Sequence, residues 1–241
     1  MKINHFALVL LLITISCSNN SQKNVKKNLN SKVNHVGAMK NVMRKGKLEG
    51  NIYLDSLSNK KHLYGLGPEE FLQSEILIFD GKAYQSKVLT DSTLQVRENF
   101  KIKAPFFVYS TVNKWKELKS AKTLKDERDL EMFLIEKTKN IDKAFTFKIV
   151  AEIDSAWFHI VNLPKGRKVS SPAEAHEGMI NYFIENEKVT LIGYFSKKHQ
   201  RIFTHHDTFM HVHLINDEKT KMGHLENVYF KNRKYKIFMA E

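Results

Sequence analysis

The amino-acid sequence predicts an α+β fold, with mostly antiparallel or mixed β-sheets and a few helices. Most of the 241-residue chain consists of short apolar or alternating segments of strand length with turns between them. Only two segments, residues 36–45 and 124–139, have apolar residues at helical spacing. No internal repeat is visible. Together these observations favour antiparallel sheets with a few helices packed against them.

The first 17 residues are typical of a bacterial lipoprotein signal peptide. The apolar run at residues 6–15 follows Lys2 and is too short to span a bilayer as a mature helix. Ser16 and Cys17 follow directly, as at a lipoprotein cleavage site, although Thr14 replaces the usual leucine. Cys17 is the only cysteine, so it cannot form an internal disulfide and its position favours lipid attachment. The alternative is a buried cysteine in an ordinary signal peptide.

We therefore expect export across the inner membrane and a lipid anchor on the periplasmic face of the bacterial envelope. Residues 18–33 are rich in Asn, Ser and Lys and predict a flexible tether. Residues 34–241 are expected to form the folded domain. Its first helix is predicted at residues 36–45, with Gly46 as the C-terminal cap.

The remaining elements are strands and one further helix at residues 124–139, where Leu130, Phe133 and Leu134 are in step. Asp80-Gly81 predicts a tight hairpin between two of the strands. The predicted strands are residues 52–54, 62–64, 75–79, 82–85, 106–112, 144–154, 157–162, 182–184, 189–195, 228–230 and 235–239.

The formal net charge is +13, with 39 Lys and Arg against 26 Asp and Glu. The excess is scattered along the chain, which is typical of a solvated surface. Binding of nucleic acid would need a concentrated basic stripe or a recognisable module, and neither is visible, so no nucleic-acid partner is predicted. Anionic lipid headgroups are the better secondary partner. The absence of a Walker loop, a Rossmann fingerprint, G-x-S-x-G and an EF-hand pattern argues against nucleotide and calcium chemistry.

Three histidines near the C-terminus form the candidate site. His211 and His213 lie two residues apart in a predicted strand, so their side chains point to one face. Residues 216–219 predict a polar turn, after which a hairpin could bring His224 to the same point. Three imidazoles with an open fourth position describe a catalytic zinc site. The alternative is a set of unrelated histidines. The His-His-Asp run at residues 205–207 is interpreted as an exposed loop, with extra metal ligands or a supporting partner as its alternative.

Several short segments occur in a characteristic order along the chain: GLG at 65–67, LQSEILIFDGKAY at 72–84, KAPFFV at 103–108, EGM at 177–179, LIGYF at 191–195, MHVHLIND at 210–217 and MGHL at 222–225. Together, from about residue 34 to residue 230, the chain resembles the acetolactate decarboxylases. Each segment is short, and their common order makes the combination specific.

The resemblance implies a decarboxylase that converts 2-acetolactate to acetoin and carbon dioxide. It assigns His211, His213 and His224 as zinc ligands and Glu75 as a carboxylate near the metal. Loss of carbon dioxide from a β-keto acid leaves an enolate-like carbanion that a Lewis acid stabilises, and a carboxylate can shuttle the final proton. The alternative for Glu75 is a solvated carboxylate at a strand edge. The predicted partners are a small 2-hydroxy-3-keto acid, the membrane and a second copy in a homodimer.

Two departures from the family pattern bear on activity. The family arginine that contacts the substrate falls on Val161, so a substrate carboxylate would lack its two-pronged partner. The nearby basic residues are His159, Arg167 and Arg201. A family tail that supplies a second carboxylate is expected to be missing, with Glu226 or Glu241 as substitutes. A second hypothesis is therefore a catalytically degenerate lipoprotein of the same fold that binds a metal or small ligand without turnover.

Overall fold

The computed structural model describes residues 31–241. The predicted signal peptide, Cys17 and most of the predicted tether lie outside the described residues. Ser31 is already buried, and its hydroxyl donates a hydrogen bond of 3.0 Å to the carbonyl of Thr111. No helix between residues 31 and 241 combines the length and apolar character needed to cross a membrane.

Strands dominate the described chain, and the predicted α+β class is confirmed. The strands are β1 Asn34–Val36, β2 Ile52–Tyr53, β3 Leu63–Pro68, β4 Glu75–Phe79, β5 Lys82–Val88, β6 Leu94–Glu98, β7 Lys103–Ala104, β8 Phe107–Thr111, β9 Trp115–Leu118, β10 Phe145–Ile160, β11 Ile180–Glu185, β12 Lys188–Phe195, β13 Met210–Asn216 and β14 Met222–Ala240. The α-helices are α1 Met39–Lys45, α2 Glu127–Lys137 and α3 Pro172–Ala175.

The first sheet has six antiparallel strands in the order β1-β8-β3-β4-β5-β6. Asp80 and Gly81 join β4 to β5 with φ angles of 47° and 84°. Two positive φ values match a two-residue turn whose twist suits the strands, so the predicted hairpin is confirmed. The consequence for the site is that β4, which begins at Glu75, has a fixed register between β3 and β5.

The second sheet has the order β11-β10-β12-β13-β14-β9, and an additional pairing joins β10 to β14. Strands β10, β12, β13 and β14 therefore close into a ring. The prediction of two strands at residues 144–154 and 157–162 is wrong, because β10 is one continuous strand of 16 residues. Its first half pairs with β12 and its second half with β11, so the irregular pattern marks a change of partner.

The separate C-terminal strands predicted at residues 228–230 and 235–239 are also one strand. They belong to β14, which has 19 residues and also carries His224. Ala151 of β10 pairs with Tyr235, whereas Ile153 pairs with Phe230, so residues 231–234 form a bulge. Arg233 has a φ of 56° within this bulge. Its polar sequence resembles a turn locally, but the strand continues in the same direction.

Helix α1 forms one wall of a cleft between the two sheets. The helix ends at Gly46, which has the left-handed φ of 59° that was predicted for a C-terminal cap. The helix packs against α3, and together with the segment after β10 it encloses a small apolar cluster. The buried members of this cluster are Val42, Leu48, Leu72, Phe106, Val161, Leu163, Val169 and Ala175. This cluster is separate from the larger core inside the second sheet.

Candidate metal centre

The hairpin of β13 and β14 brings the three predicted histidines together. His213 and His224 are directly opposite each other in the antiparallel pair, and His211 lies two residues earlier on the same face. The ring centroids are 5.3 Å apart for His213 and His224, 4.8 Å for His211 and His224, and 5.2 Å for His211 and His213. Gly223 makes room for β10, because a Cβ there would meet the carbonyl oxygen of His159 at 2.5 Å.

These imidazoles are buried and neutral. His211, His213 and His224 are 2%, 0% and 7% exposed. Burial lowers the pKa of His213 to about 3 and lowers the pKa values of His211 and His224 well below the ordinary value of 6.5. Neutral imidazole is the form that binds a metal, so these side chains are ready for ligation at neutral pH.

The free ring nitrogens also fit a cation. Neither ring nitrogen of His213 has a hydrogen-bond partner among residues 31–241. The Nδ1 of His211 lies 2.8 Å from the carbonyl oxygen of Phe203, to which it donates, so its Nε2 carries a lone pair. That Nε2 lies 3.1 Å from Nδ1 of His224. A backbone carbonyl that orients an imidazole in this way is a common support of metal ligands.

A fourth imidazole, that of His205, lies beside the three. Its ring centroid is 4.7 Å from that of His224 and 5.4 Å from that of His211. One ligand atom each from His205, His211 and His224 can be chosen so that all lie within 4.8 Å of one another. Sequence reasoning interpreted residues 205–207 as an exposed loop. His206 and Asp207 are exposed, but His205 turns inward, and burial lowers its pKa to about 4.

Glu75 reaches the histidines from the first sheet. Its side chain is buried, with Oε2 at 3.5 Å from Nε2 of His213 and Oε1 at 3.9 Å from Nε2 of His159. Burial raises the pKa of Glu75 to about 8, so its carboxyl group is protonated at pH 7 when no cation is bound. A solvated carboxylate at a strand edge, the alternative from the sequence, does not describe this side chain.

His159 and Glu226 form a second acid–base pair at the edge of the cluster. His159 is the cross-strand partner of His224, and their rings stack with centroids 4.6 Å apart. The Nδ1 of His159 lies 2.5 Å from Oε1 of Glu226, and this hydrogen bond lowers the pKa of Glu226. Glu241 pairs instead with Lys114 at 2.9 Å and does not line the cleft. Of the two proposed substitute carboxylates, only Glu226 is near the histidines.

Glu75, His205, His211 and His224 line a cleft of about 350 Å³. Val161 lines this cleft, at the position where the resemblance places an arginine. The other apolar lining residues are Met39, Met43, Pro68, Phe106 and Pro172. The lining residues with permanent positive charge are Lys40, Arg44 and Arg201. Arg167 pairs with Glu177 and is not part of the lining.

Comparisons with known proteins agree with this architecture. The family model for alpha-acetolactate decarboxylase matches residues 19–241. An alpha-acetolactate decarboxylase from Brevibacillus brevis is 27% identical over 202 residues, which cover 82% of this chain and 66% of that relative, just under two thirds of its length. A crystal structure from Staphylococcus aureus, described as a protein of unknown function similar to alpha-acetolactate decarboxylase, superimposes with a TM-score of 0.71 at 14% identity, covering 87% of this chain and 84% of that chain. The alpha-acetolactate decarboxylase of Bacillus subtilis strain 168 superimposes with a TM-score of 0.68 at 16% identity, covering 87% and 85%. The likeness to both structures shows the same fold over nearly the whole described chain. The match of the family model over residues 19–241 establishes that this chain belongs to the alpha-acetolactate decarboxylase family.

Proposed function

We propose that this protein is a zinc-dependent carboxy-lyase that decarboxylates 2-acetolactate or a related small 2-hydroxy-3-keto acid. The observation that carries the proposal is the cluster of His211, His213 and His224 beside the buried carboxyl group of Glu75, with Glu75, His211 and His224 lining a cleft. The buried ring nitrogens of His213 have no hydrogen-bond partner among residues 31–241, which is costly unless they bind something. Family membership makes a divalent cation the expected occupant.

The three histidines would hold the ion, which supplies a Lewis acid for the negative charge that develops when carbon dioxide leaves. In the reaction the bond between the carboxylate carbon and the hydroxyl-bearing carbon breaks, and its electron pair moves toward the ketone oxygen. A proton must then be added to the hydroxyl-bearing carbon. The carboxyl group of Glu75 lies beside the cluster, with Oε2 3.5 Å from Nε2 of His213, and would carry this proton to the carbon. The apolar wall formed by Met39, Phe106 and Val161 would limit water around the reacting group.

The substrate carboxylate has no arginine at position 161 to bind. The cations that face the cleft, Lys40, Arg44 and Arg201, are exposed residues at its rim. Exposed charges are screened by water and salt, so they would hold a carboxylate less firmly than a buried two-pronged guanidinium. This departure is the observation that favours the second candidate function, a member of the family that binds metal and a small acid without turnover.

The direct test is acetoin formation from racemic 2-acetolactate by the zinc-loaded protein. Release of acetoin and carbon dioxide above the metal-free control supports the carboxy-lyase. Zinc binding and saturable binding of the acid without release of carbon dioxide would support the second candidate. The two outcomes can be measured on one preparation by combining elemental analysis, calorimetric titration and the product assay.

We predict that the unmodified chain decarboxylates 2-acetolactate slowly and that Val161→Arg accelerates the reaction. Each hydrogen bond from a guanidinium to a carboxylate is worth about 1.5–3 kcal/mol, and a few kcal/mol in the transition state corresponds to roughly a hundredfold in rate. Val161 is buried, so folding of the variant must be checked by circular dichroism, because an unpaired charge there would be destabilising.

Val161→Gln is the matched control, since it adds a long polar side chain without the charged fork. Equal gains from glutamine and arginine would mean that space rather than charge limits the reaction. Rapid turnover by the unmodified chain, or a folded Val161→Arg protein with no gain, would show that another residue binds the carboxylate.

We further propose that the protein is anchored by a lipid on Cys17 at the periplasmic face of the membrane, as the N-terminal sequence predicts. We expect Cys17→Ser to move the protein from the membrane fraction to the soluble fraction or to block its processing. The measurement is fractionation followed by intact-mass analysis of the N-terminus. Membrane association of a processed Cys17→Ser protein, with the signal peptide removed, that equals that of the unmodified protein would contradict the anchor.

A further inference from the structure

We propose that His205 is a fourth imidazole ligand of the metal. The His205 ring must move away from the ion before a substrate can bind there. The inference rests on the metal site of the proposed function and adds to it a ligand outside the predicted set of three. It concerns the resting state of the site, because four protein ligands complete a tetrahedral zinc site whereas three leave a position open.

The first observation is the environment of the His205 ring. Its Nε2 is buried and has no hydrogen-bond partner among the described residues. An unpaired buried nitrogen is unfavourable, and here it lies in a cluster of three other imidazoles. Ligand atoms of His205, His211 and His224 are mutually within 4.8 Å, so a small ion between them could contact all three. The ring of His213 lies beside this group, with its centroid 5.2 Å from that of His211 and 5.3 Å from that of His224, and would supply the fourth imidazole.

The second observation is the neighbouring residue. His206 is exposed and its ring faces Asp207 at 3.7 Å. The two adjacent histidines thus differ: the side chain of His206 is exposed at the rim of the cleft, whereas the ring of His205 lies against the candidate ligands. If the loop were merely attracted to the cluster as a whole, both histidines would be expected to turn toward it, and only His205 does. The inward position of His205 is accompanied by a backbone hydrogen bond of 3.5 Å from its N–H to the carbonyl of Met210, at the start of β13.

The elements that carry the four imidazoles differ in how freely they can move. His211, His213 and His224 lie on strands of the closed ring, where β13 is paired on both sides. His205 lies on the loop between β12 and β13, and both His205 and His206 line the cleft. Movement of the loop would therefore remove one ligand without breaking the sheet. The position that it leaves faces the cleft, where the ketone and hydroxyl oxygens of a substrate would arrive.

The test uses Co²⁺ as a probe, because its visible spectrum reports ligand number and type. The full chain, His205→Ala and the matched control His206→Ala are each titrated with Co²⁺ alone and then with azide. We expect the full chain and His206→Ala to give the same tetrahedral spectrum and to respond weakly to azide. His205→Ala should still bind the ion, with affinity lower by about tenfold or more, and should give a new band with azide at the opened position.

X-ray absorption of the zinc-loaded full chain provides a measurement that does not depend on a variant. Four imidazole nitrogens around zinc would support the inference, whereas three nitrogens and an oxygen would overturn it. Equal Co²⁺ spectra and affinities for His205→Ala and the full chain would also overturn it, while leaving the three-histidine site intact. Absence of any bound metal in the full chain would instead contradict the proposed function itself.

Discussion

Replacing His211 and His213 together by alanine is expected to abolish metal binding while the fold is retained. Both rings lie within the cluster, and loss of two imidazoles leaves too few ligands for a stable zinc site. The unmodified protein, refolded with excess zinc and dialysed, should keep about one zinc ion per chain. The measurement is elemental analysis, with circular dichroism to check that the strands persist.

The fold should survive because β13, which carries both side chains, is paired with β12 on one side and β14 on the other. The ring nitrogens of His213 have no hydrogen-bond partner among residues 31–241, and replacing His211 removes the hydrogen bond that its Nδ1 donates to the carbonyl of Phe203. His35→Ala, at an exposed histidine of β1, is the matched control and should bind zinc as the unmodified chain does. Finding no zinc in the unmodified protein after refolding with excess metal would show that the histidine cluster is not a metal site.

Glu75→Gln is expected to reduce decarboxylation by about 10²–10⁴-fold, the range typical of a lost acid–base group, while zinc content stays unchanged. Glutamine keeps the size and polarity of the side chain but cannot deliver a proton. The measurement is acetoin formation at saturating substrate, with elemental analysis of the same samples. A variant with undiminished turnover would remove Glu75 from the mechanism.

The same substitution, Glu75→Gln, is expected to raise the stability of the metal-free protein at high pH. The pKa of Glu75 in the folded, metal-free protein is about 8 against an ordinary 4.5, so the folded state binds the proton more tightly. The contribution of the protonated Glu75 carboxyl group to the free energy of unfolding is therefore complete below pH 4.5 and is lost as the pH rises toward 8. The loss amounts to several kcal/mol, on the order of 1.4 for each pH unit between the two values.

At pH 9 we thus expect metal-free Glu75→Gln to unfold at higher denaturant concentration than the unmodified protein. Asp217→Asn, at an exposed residue of the turn between β13 and β14, serves as the control and should change little. If Glu75→Gln is less stable at every pH, the carboxyl group has a structural role, and its ionisation is not what destabilises the metal-free protein at high pH.

Short-range patterns predicted the parts of the site that one hairpin creates. The alternation through His211 and His213 and the polar turn before His224 are local signals, and the structure places these residues on one face. The Asp80-Gly81 turn and the cap at Gly46 were predictable for the same reason, since each depends on the conformation of one or two residues.

The parts that depend on distant partners were not predictable in this way. The pairing partner of β10 changes along the strand, and this interrupts the alternation of apolar and polar residues as a turn would. The bulge in β14 has the amino-acid composition of a loop. The contact of Glu75 with His213 joins two sheets and leaves no periodic signal. His205 belongs to a loop, where no regular spacing distinguishes an inward side chain from an outward one.

Two separate packing units supply the residues of the site. One is the ring of β10, β12, β13 and β14, and the other is the small apolar cluster behind α1. The ring carries the imidazoles of His211, His213 and His224, whereas the cluster contributes Val161 and Phe106 to the lining of the cleft. Substitutions in the second unit can therefore reshape what the cleft accepts without disturbing the backbone that positions the histidines. A substitution at Val161 is therefore expected to alter the lining of the cleft while the strands that carry the histidines keep their pairing.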